Sequence, residues 1–257
     1  MQFDIASLII GVIVGMAAIY LYQKQQNKVV SKNSLTIEAI IHELKTPLTG
    51  LSWIFASLSG LNVGDLLGNE TIELLKEGKN KIGNALELAN DALFALNTSS
   101  NYVTYKFEPN NLTTVINKVI EENSLGAKEK NISVLFNQDG YVPPFKFDEI
   151  KITLAIRNLI NNAIKYTPQN GGVTVATTTD NNTAIITVTD TGIGIPQADK
   201  SKVFNKFFRS KNVENVPGSG LGLFIVKNIV TGHSGAIDIQ SNEGKGTKVT
   251  INLPLKK

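Results

Sequence analysis

Apolar residues recur in alternating steps of four and three along residues 37–58, and no other feature of the sequence restricts the possible folds as strongly. This spacing is typical of a helix packed in a coiled-coil-like bundle. The residues of this first stripe are Ile37, Ile41, Leu44, Leu48, Leu51, Phe55 and Leu58. A second stripe at helical spacing consists of Leu75, Ile82, Leu86, Ala89, Leu93 and Leu96.

The segment between the two stripes is predicted to be a loop, because it contains Gly60, Asn62, Gly64 and Gly68. Two amphipathic helices joined in this way form an antiparallel hairpin. One hairpin has too little core to be stable alone, whereas two hairpins from two chains bury both stripes in a four-helix bundle. The sequence therefore predicts a homodimer.

An uncharged run of 18 residues extends from Ile5 to Tyr22. As a helix it would be about 27 Å long, close to the roughly 30 Å hydrocarbon core of a bilayer. Lys24, Lys28 and Lys32 follow the run, so the residues after it are predicted to be cytoplasmic. A cleaved secretory signal is the alternative, but no positive charge precedes the run and no clear cleavage site follows it. The run predicts a single-pass protein of the cytoplasmic (inner) cell membrane.

The composition excludes several kinds of site. The sequence contains no cysteine, which excludes disulfides, thiol catalysis and cysteine-ligated zinc, and two histidines are too few for a histidine-rich metal site. The net charge of +3 comes from scattered basic residues that form no nucleic-acid-binding patch. No nucleic acid is therefore expected as a direct partner.

Beyond residue 101 the pattern changes to mixed helix and strand. The predicted helices are Leu112–Ala127, Asp148–Tyr166 and Leu221–Val230. The predicted strands are Tyr102–Phe107, Ile132–Phe136, Val173–Thr179, Ala184–Thr189, Ala236–Ser241 and Lys248–Leu253. This order indicates a mixed sheet covered by helices on one face. The fold class is therefore α+β, with a membrane anchor and linker at 1–28, a helical domain at 29–100 and a mixed domain at 101–257.

The first stretch that suggests chemistry is IIHELKTPLTG, at residues 40–50. His42 follows Ile41 of the buried stripe, so its side chain is expected to project from the bundle surface. A neutral imidazole is a competent nucleophile, and the neighbouring carboxylate of Glu43 can hold or accept the ring proton. Thr46 lies one turn further on the same face, where its hydroxyl could position a water. The alternative is an exposed helical histidine without a catalytic role.

A second stretch, RNLINNAIKYTP, places Asn158 and Asn162 on one face of a predicted helix. Amide oxygens can bind Mg²⁺, which also takes oxygens from phosphates and water. Asn161 points about 100° away from Asn162 on the helix. Lys165 lies a further turn along and could reach a phosphate. The alternative is that these residues are polar surface.

Two glycine-rich stretches follow, DTGIGIP and GSGLGL. Asp190 ends a predicted strand, and its carboxylate can accept a hydrogen bond from an exocyclic amine, while Gly192 and Gly194 let the backbone approach a flat ring. Glycines before a helix expose N–H groups that can bind phosphates. Each stretch alone is also a common turn.

The segment between the two glycine-rich stretches begins with VFNKFFR and continues to Pro217. Residues 210–217 are predicted to form a mobile lid over a nucleotide, and Arg209 is predicted to contact the γ-phosphate. The phenylalanines of this segment are expected to anchor it in the core.

Together these stretches resemble the motifs of the sensor histidine kinases of two-component systems. HELKTPL resembles the H box of the His-kinase-A-type dimerisation domain, and the segment around Asn158 and Asn162 resembles the N box. DTGIGIP, VFNKFF and GSGLGL resemble the first glycine box, the F box and the second glycine box. The resemblance covers about residues 35–255, and the order and spacing of the motifs match as well.

The resemblance implies a GHKL-type (Bergerat) ATP-binding domain with an α/β-sandwich fold, using ATP and Mg²⁺. His42 would be the phosphoacceptor, Glu43 its base, and Thr46 would serve dephosphorylation of a partner. Asn158 and Asn162 would contact Mg²⁺ and phosphates, and Asp190 the adenine amine. The other implied nucleotide-binding residues are Lys165, Tyr166, Gly192, Gly194, Arg209, Gly218, Gly220, Leu221 and Gly222.

The resemblance also implies the reaction: autophosphorylation of His42 by ATP, then phosphotransfer to an aspartate in the receiver domain of a separate response regulator. Related ATPases of the gyrase and chaperone type share such a nucleotide site but lack an HELKTPL helix. A non-catalytic scaffold that binds nucleotide is a second alternative, against which the intact motif residues count. No extracytoplasmic sensor domain is recognised, so the input signal is not identified.

Overall fold

The computed structural model describes residues 48–51, 53–54, 69–99, 103–213, 216 and 218–255. The chain divides into residues 1–41 and 42–257, and every described residue belongs to the second unit. The predicted membrane segment at 5–22 and the three residues His42, Glu43 and Thr46 lie outside the described residues. None of the described helices combines the length and hydropathy that crossing a bilayer requires.

The described part of the helical domain consists of helical residues 48–51 and 53–54 and of α1, Asn69–Ser99. A Cβ on Gly50 would lie 2.8 Å from Lys81 Cδ, and a Cβ on Gly78 would lie 3.6 Å from Ile54 Cγ2. Contacts that advance along one helix and recede along the other indicate antiparallel packing. This geometry agrees with the predicted hairpin, and the small residues let the two backbones approach closely.

The second predicted stripe is exposed on α1 in the single chain. Its residues Leu75, Ile82, Leu86 and Leu93 are 43–60% exposed, whereas Ala92 and Ala95 on another face are buried. Leu48 of the first stripe is also exposed, and the buried contact there is made by Ile54. An apolar stripe left open on a 31-residue helix is what the predicted bundle would cover, and the bundle itself stays a prediction.

The mixed domain contains three helices and seven strands among the described residues. The helices are α2 (Leu112–Glu129), α3 (Glu149–Tyr166) and α4 (Gly222–Gly232). The strands are β1 (Glu108–Asn110), β2 (Ser133–Gln138), β3 (Phe145–Phe147), β4 (Gly172–Asp180), β5 (Thr183–Asp190), β6 (Ala236–Asn242) and β7 (Gly246–Pro254).

Five strands form one sheet in the order β2-β4-β5-β7-β6, in which β2 is parallel to β4 and the other pairs are antiparallel. Buried and half-exposed residues alternate along β4, β5 and β7, so one face of the sheet carries the core. The helices supply the opposite side of that core, as predicted. Phe94 and Ala95 join it from the C-terminal end of α1.

Most predicted elements are confirmed within a few residues, with two exceptions. The predicted strand Tyr102–Phe107 is wrong: residues 103–107 form no ladder, and the strand β1 begins at Glu108 and pairs with β3, which the pattern did not predict. Tyr105 explains the difference, because its hydroxyl donates to the Asn228 carbonyl oxygen at 3.2 Å and fixes the segment across α4. Side-chain packing, and not sheet pairing, holds this extended segment.

Candidate functional site

Helix α3 carries the paired asparagines into the interior. Asp148 caps the helix by accepting a hydrogen bond from the Lys151 N–H at 2.9 Å. Asn158 is buried, and its Nδ2 donates to the Leu154 carbonyl oxygen at 3.1 Å, which orients Oδ1 away from that bond. Asn162 lies one turn further. Both side chains face Gly222, where a Cβ would lie 2.7 Å from Asn158 Oδ1 and 3.4 Å from Asn162 Nδ2.

The first residues of α4 therefore meet the asparagine face of α3. Leu221, fully buried, occupies the N-cap position and its side chain caps no N–H. No side chain at the N-cap occupies the N–H groups of the first turn, so the positive end of the helix is available for an anion. Gly220 has φ +67°, and a Cβ there would lie 2.7 Å from the Phe207 carbonyl carbon, so this turn requires glycine.

Lys165 reaches the same region from the last turn of α3. A Cβ on Gly218 would overlap its Nζ, so the ammonium lies directly against the glycine backbone. Nζ also lies 5.1 Å from the centre of the Tyr166 ring. A positive side chain, an open helix N-terminus and two amides thus converge on one place, which suits a polyphosphate with a divalent cation.

Asp190 is the last residue of β5, and one of its two carboxylate oxygens accepts two backbone hydrogen bonds. Its Oδ1 accepts hydrogen bonds from the Gly192 N–H at 2.8 Å and the Thr247 N–H at 3.1 Å. Burial raises the pKa of Asp190, and these two hydrogen bonds oppose that rise. Among the described residues no group is hydrogen-bonded to Oδ2, which leaves it available to accept from a ligand amine.

Glycine is required at positions 192 and 194, after Asp190, for two different structural reasons. A Cβ on Gly192 would lie 2.6 Å from the Tyr166 carbonyl oxygen, so α3 and the loop could not approach as they do. Gly194 has φ +67° and lies against the Asn242 carbonyl. The loop therefore packs between the end of α3 and the β6–β7 turn.

Arg209 directly precedes the predicted lid at residues 210–217, and its guanidinium donates hydrogen bonds to the lid backbone. Its Nη2 donates to the carbonyl oxygens of Val213, at 2.7 Å, and Val216. Burial raises the pKa of the Tyr166 hydroxyl, and the nearby charge of Arg209 opposes this. Arg209 therefore borders the site, and its contact with a phosphate stays a prediction.

Of the phenylalanines before the lid, Phe207 anchors the segment in the core as expected. Phe207 packs against the core and adopts φ +58°, an uncommon conformation for an aromatic residue. Lys227 Nζ lies 5.5 Å from the centre of the Phe204 ring. Ser210, the first residue of the lid, donates a hydrogen bond to the Asp199 carboxylate.

Sequence reasoning missed two residues of this region, Thr247 and Ser241. Thr247 supplies a backbone N–H to Asp190, and Ser241 is a buried hydroxyl beside it. The signal available in the sequence is the GKGT stretch at residues 244–247, between two predicted strands.

The domain that contains this site matches a known family model. Residues 147–257 match the model described as histidine kinase-, DNA gyrase B- and HSP90-like ATPase. The sequence is 32% identical to the sensor histidine kinase WalK of Bacillus subtilis (strain 168), over 96% of this chain and 40% of WalK. The solved mycobacterial sensor histidine kinase MprB is also 32% identical, with a TM-score of 0.51, over 59% of this chain and 99% of MprB. The chain belongs to the histidine kinase family.

A third comparison shows that the likeness in fold to solved histidine kinases extends over most of this chain. The histidine kinase ThkA, solved in complex with the response regulator protein TrrA, is 21% identical with a TM-score of 0.61, over 93% of this chain and 67% of that chain. The matches confirm the predicted Bergerat-type α/β fold, which is that of an ATP-binding domain. This family member spans 40% of the length of WalK.

Proposed function

We propose that this chain is a membrane-bound sensor histidine kinase that phosphorylates His42 from Mg-ATP and passes the phosphoryl group to an aspartate of a separate response regulator. The observation that carries the proposal is the convergence of Asn158 and Asn162 with Gly222 at the uncapped start of α4. Lys165 lies beside this point, and Asp190 offers one free carboxylate oxygen. Such a site fits a purine triphosphate.

Each group has a role that follows from its position. Asp190 Oδ2 accepts from the adenine amine, which selects adenine. The amide oxygens of Asn158 and Asn162 are ligands suited to Mg²⁺, which neutralises charge on the triphosphate when it is bound. Lys165 and the N–H groups at Gly218, Gly220 and Gly222 hold the phosphates.

The chemical step needs one nitrogen in line with the γ-phosphorus. The His42 ring nitrogen forms the N–P bond, the bond between the γ-phosphorus and the β–γ bridging oxygen breaks, and ADP leaves with that electron pair. Glu43 takes the ring proton. The phosphoryl group then moves from His42 to the regulator carboxylate, and Thr46 positions a water for the reverse task, dephosphorylation of the regulator.

The remaining parts of the proposal concern assembly. The exposed stripe on α1 supports a homodimer held by a four-helix bundle, because burying four exposed leucine and isoleucine side chains favours association. The uncharged run at 5–22 supports a single-pass anchor in the cytoplasmic membrane with the ATP-binding domain inside. The proposed divisions are 1–28, 29–100 and 101–257.

The test is incubation of the full chain in detergent with Mg²⁺ and ATP labelled at the γ-phosphate. Wild type is expected to acquire label that is acid-labile and alkali-stable, as a phosphohistidine is, and His42→Gln to acquire none. His42→Gln must still bind ATP with wild-type affinity, which separates loss of the acceptor from loss of the fold. Equal labelling of both proteins would contradict the proposal, and ATP hydrolysis without labelling would favour a gyrase-type ATPase.

A further inference from the structure

The hydroxyl of Ser241 is buried and makes three hydrogen-bonding contacts. It accepts from the Ile195 N–H at 2.9 Å and donates to the Gly246 carbonyl oxygen at 2.9 Å. Its Oγ also lies 2.9 Å from Thr247 Oγ1. Because the single hydroxyl proton of Ser241 is used for Gly246, the proton of the third contact comes from Thr247. One small side chain thus uses one donor and two acceptor positions.

These contacts join two segments that are distant in the sequence. Ile195 belongs to the loop after Asp190, whereas Gly246 and Thr247 begin β7. The same loop also meets the turn between β6 and β7, where the Gly244 N–H donates to the Ile193 carbonyl oxygen at 2.7 Å. Ser241 is therefore at the centre of the junction between the loop and the β6–β7 turn, and it is 5% exposed.

The junction controls one of the two bonds that orient Asp190. Ser241 pairs with Thr247 across the β6–β7 ladder, and the Thr247 N–H donates to Asp190 Oδ1. The other bond comes from Gly192, three residues before Ile195 in the same loop. Ser241 thus holds, through one side chain, both segments that supply the N–H groups to Oδ1. A change in either segment would turn the carboxylate and redirect Oδ2.

We propose that Ser241 is a positioning residue for nucleobase recognition: its hydroxyl fixes the loop and the start of β7 so that Asp190 aims its free oxygen at the base amine. The inference rests on the proposed binding of ATP and adds to it the residue that sets the strength of adenine selection. Ser241 itself touches no nucleotide in this proposal. Its effect is therefore confined to ligands that carry the amine.

The test compares ATP with purine riboside 5′-triphosphate, which lacks the 6-amino group, in equilibrium binding to the full chain in detergent. Wild type is expected to prefer ATP by about 10- to 100-fold, the range for a hydrogen bond to a charged acceptor. Ser241→Ala is expected to weaken ATP binding by about 5- to 10-fold and to change the affinity for the analogue less than about twofold. A merely structural role would weaken both nucleotides alike.

Two further variants complete the experiment. Ser241→Thr keeps the hydroxyl on a strand, where β-branched residues are well tolerated, and is expected to keep the wild-type preference. Ser133→Ala, at an exposed serine of β2, is the matched control and should change neither affinity. If Ser241→Ala does not fold, Ser241→Cys replaces it, because a thiol fills the space with a weaker hydrogen-bonding group.

The outcomes distinguish failure of the positioning role of Ser241 from failure of adenine selection by Asp190. An unchanged preference for ATP in a folded Ser241→Ala or Ser241→Cys variant would overturn the positioning role and leave ATP binding intact. A wild-type chain that does not distinguish the two nucleotides would overturn adenine selection by Asp190, and this inference with it. A reduced preference that Ser241→Thr restores is the result that supports it.

Discussion

Gly222 lies against the side chain of Asn158, so closely that a Cβ on Gly222 would be 2.7 Å from Asn158 Oδ1. Asn158 cannot retreat freely, because it is buried and its Nδ2 is bonded to the Leu154 carbonyl oxygen. The absence of one side chain thus sets the separation between the phosphate end of α4 and the asparagine face of α3.

Gly222→Ala is expected to weaken ATP binding by about tenfold or more, because the new methyl group displaces the Asn158 amide by several tenths of an ångström. The measurement is equilibrium binding of ATP together with thermal unfolding. Gly126→Ala in α2 is the matched control: nothing lies within 4 Å of its Cβ position. That variant should gain about 0.5–1 kcal/mol of stability and bind ATP normally. Wild-type ATP affinity in Gly222→Ala would show that this contact does not shape the site.

Asn162→Asp is expected to slow labelling of His42 by about tenfold, because a carboxylate replaces an amide that faces the phosphate end of α4 and repels the triphosphate. Asn161→Asp adds the same charge one residue earlier, on another side of α3, and should label at close to the wild-type rate. The rate is measured with γ-labelled ATP at saturating Mg²⁺. Similar slowing in both variants would mean that charge on α3, and not the position of Asn162, is responsible.

Asp190→Asn is expected to stabilise the folded chain increasingly as the pH rises. Burial raises the folded-state pKa of Asp190 above the ordinary 3.8, against the hydrogen bonds from Gly192 and Thr247. The folded chain therefore holds the proton more tightly than the unfolded chain. The contribution of this group to stability is complete below the ordinary pKa and is lost as the pH rises through the raised value.

The measurement is the thermal unfolding midpoint of wild type and Asp190→Asn between pH 4 and pH 7.5. The advantage of the variant should grow with pH, while its ATP affinity falls because an amide nitrogen can replace the free acceptor oxygen. A difference in midpoint that is constant across this range would contradict the raised pKa.

Helices and strands could be predicted from the sequence where their local capping and turn signals agree with the packing that the folded chain shows. Helix α2 begins after Asn111, whose side chain accepts from the Thr114 N–H at 3.2 Å, as a capping residue before an apolar-periodic segment should. The hairpin β4–β5 turns at Asn181, which adopts φ +52°. Helix α3 begins one residue later than predicted because Asp148 is its cap.

The sequence could not predict what depends on distant partners. Residues 103–107 have a strand-like alternation, but Tyr105 and Phe107 pack their rings edge-on against His233 instead of entering a sheet. The site residues found by motif, such as Asn158 and Asp190, carry recognisable chemistry within a short stretch. Ser241 does not, because its role arises from three partners that only the fold brings together.

His233→Phe is expected to destabilise the chain by about 1–3 kcal/mol. The buried His233 ring accepts from the Asp148 N–H at Nε2, at 3.0 Å, and donates from Nδ1 to the Ile229 carbonyl oxygen at 2.8 Å. A phenyl ring fills the space but leaves the buried Asp148 N–H without an acceptor, whereas the Ile229 carbonyl oxygen keeps its bond from the backbone N–H of residue 233 at 3.0 Å. Tyr105→Phe removes only the bond to Asn228 from the same cluster, so about 0.5–1.5 kcal/mol should be lost. Denaturant unfolding measures both, and equal losses would assign the effect to ring packing.

Lys206 connects the segment before the lid to helix α1. Its Nζ donates to the Ala95 carbonyl oxygen at 2.8 Å and lies 4.8 Å from the centre of the Phe224 ring, and burial lowers the pKa of this ammonium. Lys206→Met keeps the aliphatic stem and removes the hydrogen bond to α1. The last turns of α1 are therefore expected to exchange their amide hydrogens faster, by about three- to tenfold, as follows from losing one such bond.

The nucleotide site should not change in this variant, since no described contact links Lys206 to Asn158, Lys165 or Asp190. ATP affinity within about twofold of wild type, together with faster exchange at residues 92–96 measured by mass spectrometry, is the expected pair of results. Lys202→Met is the control, because Lys202 is exposed in the same segment. If Lys202→Met speeds exchange in α1 equally, the Lys206–Ala95 bond does not hold that helix end, and the packing of Phe94 and Ala95 against the core is sufficient.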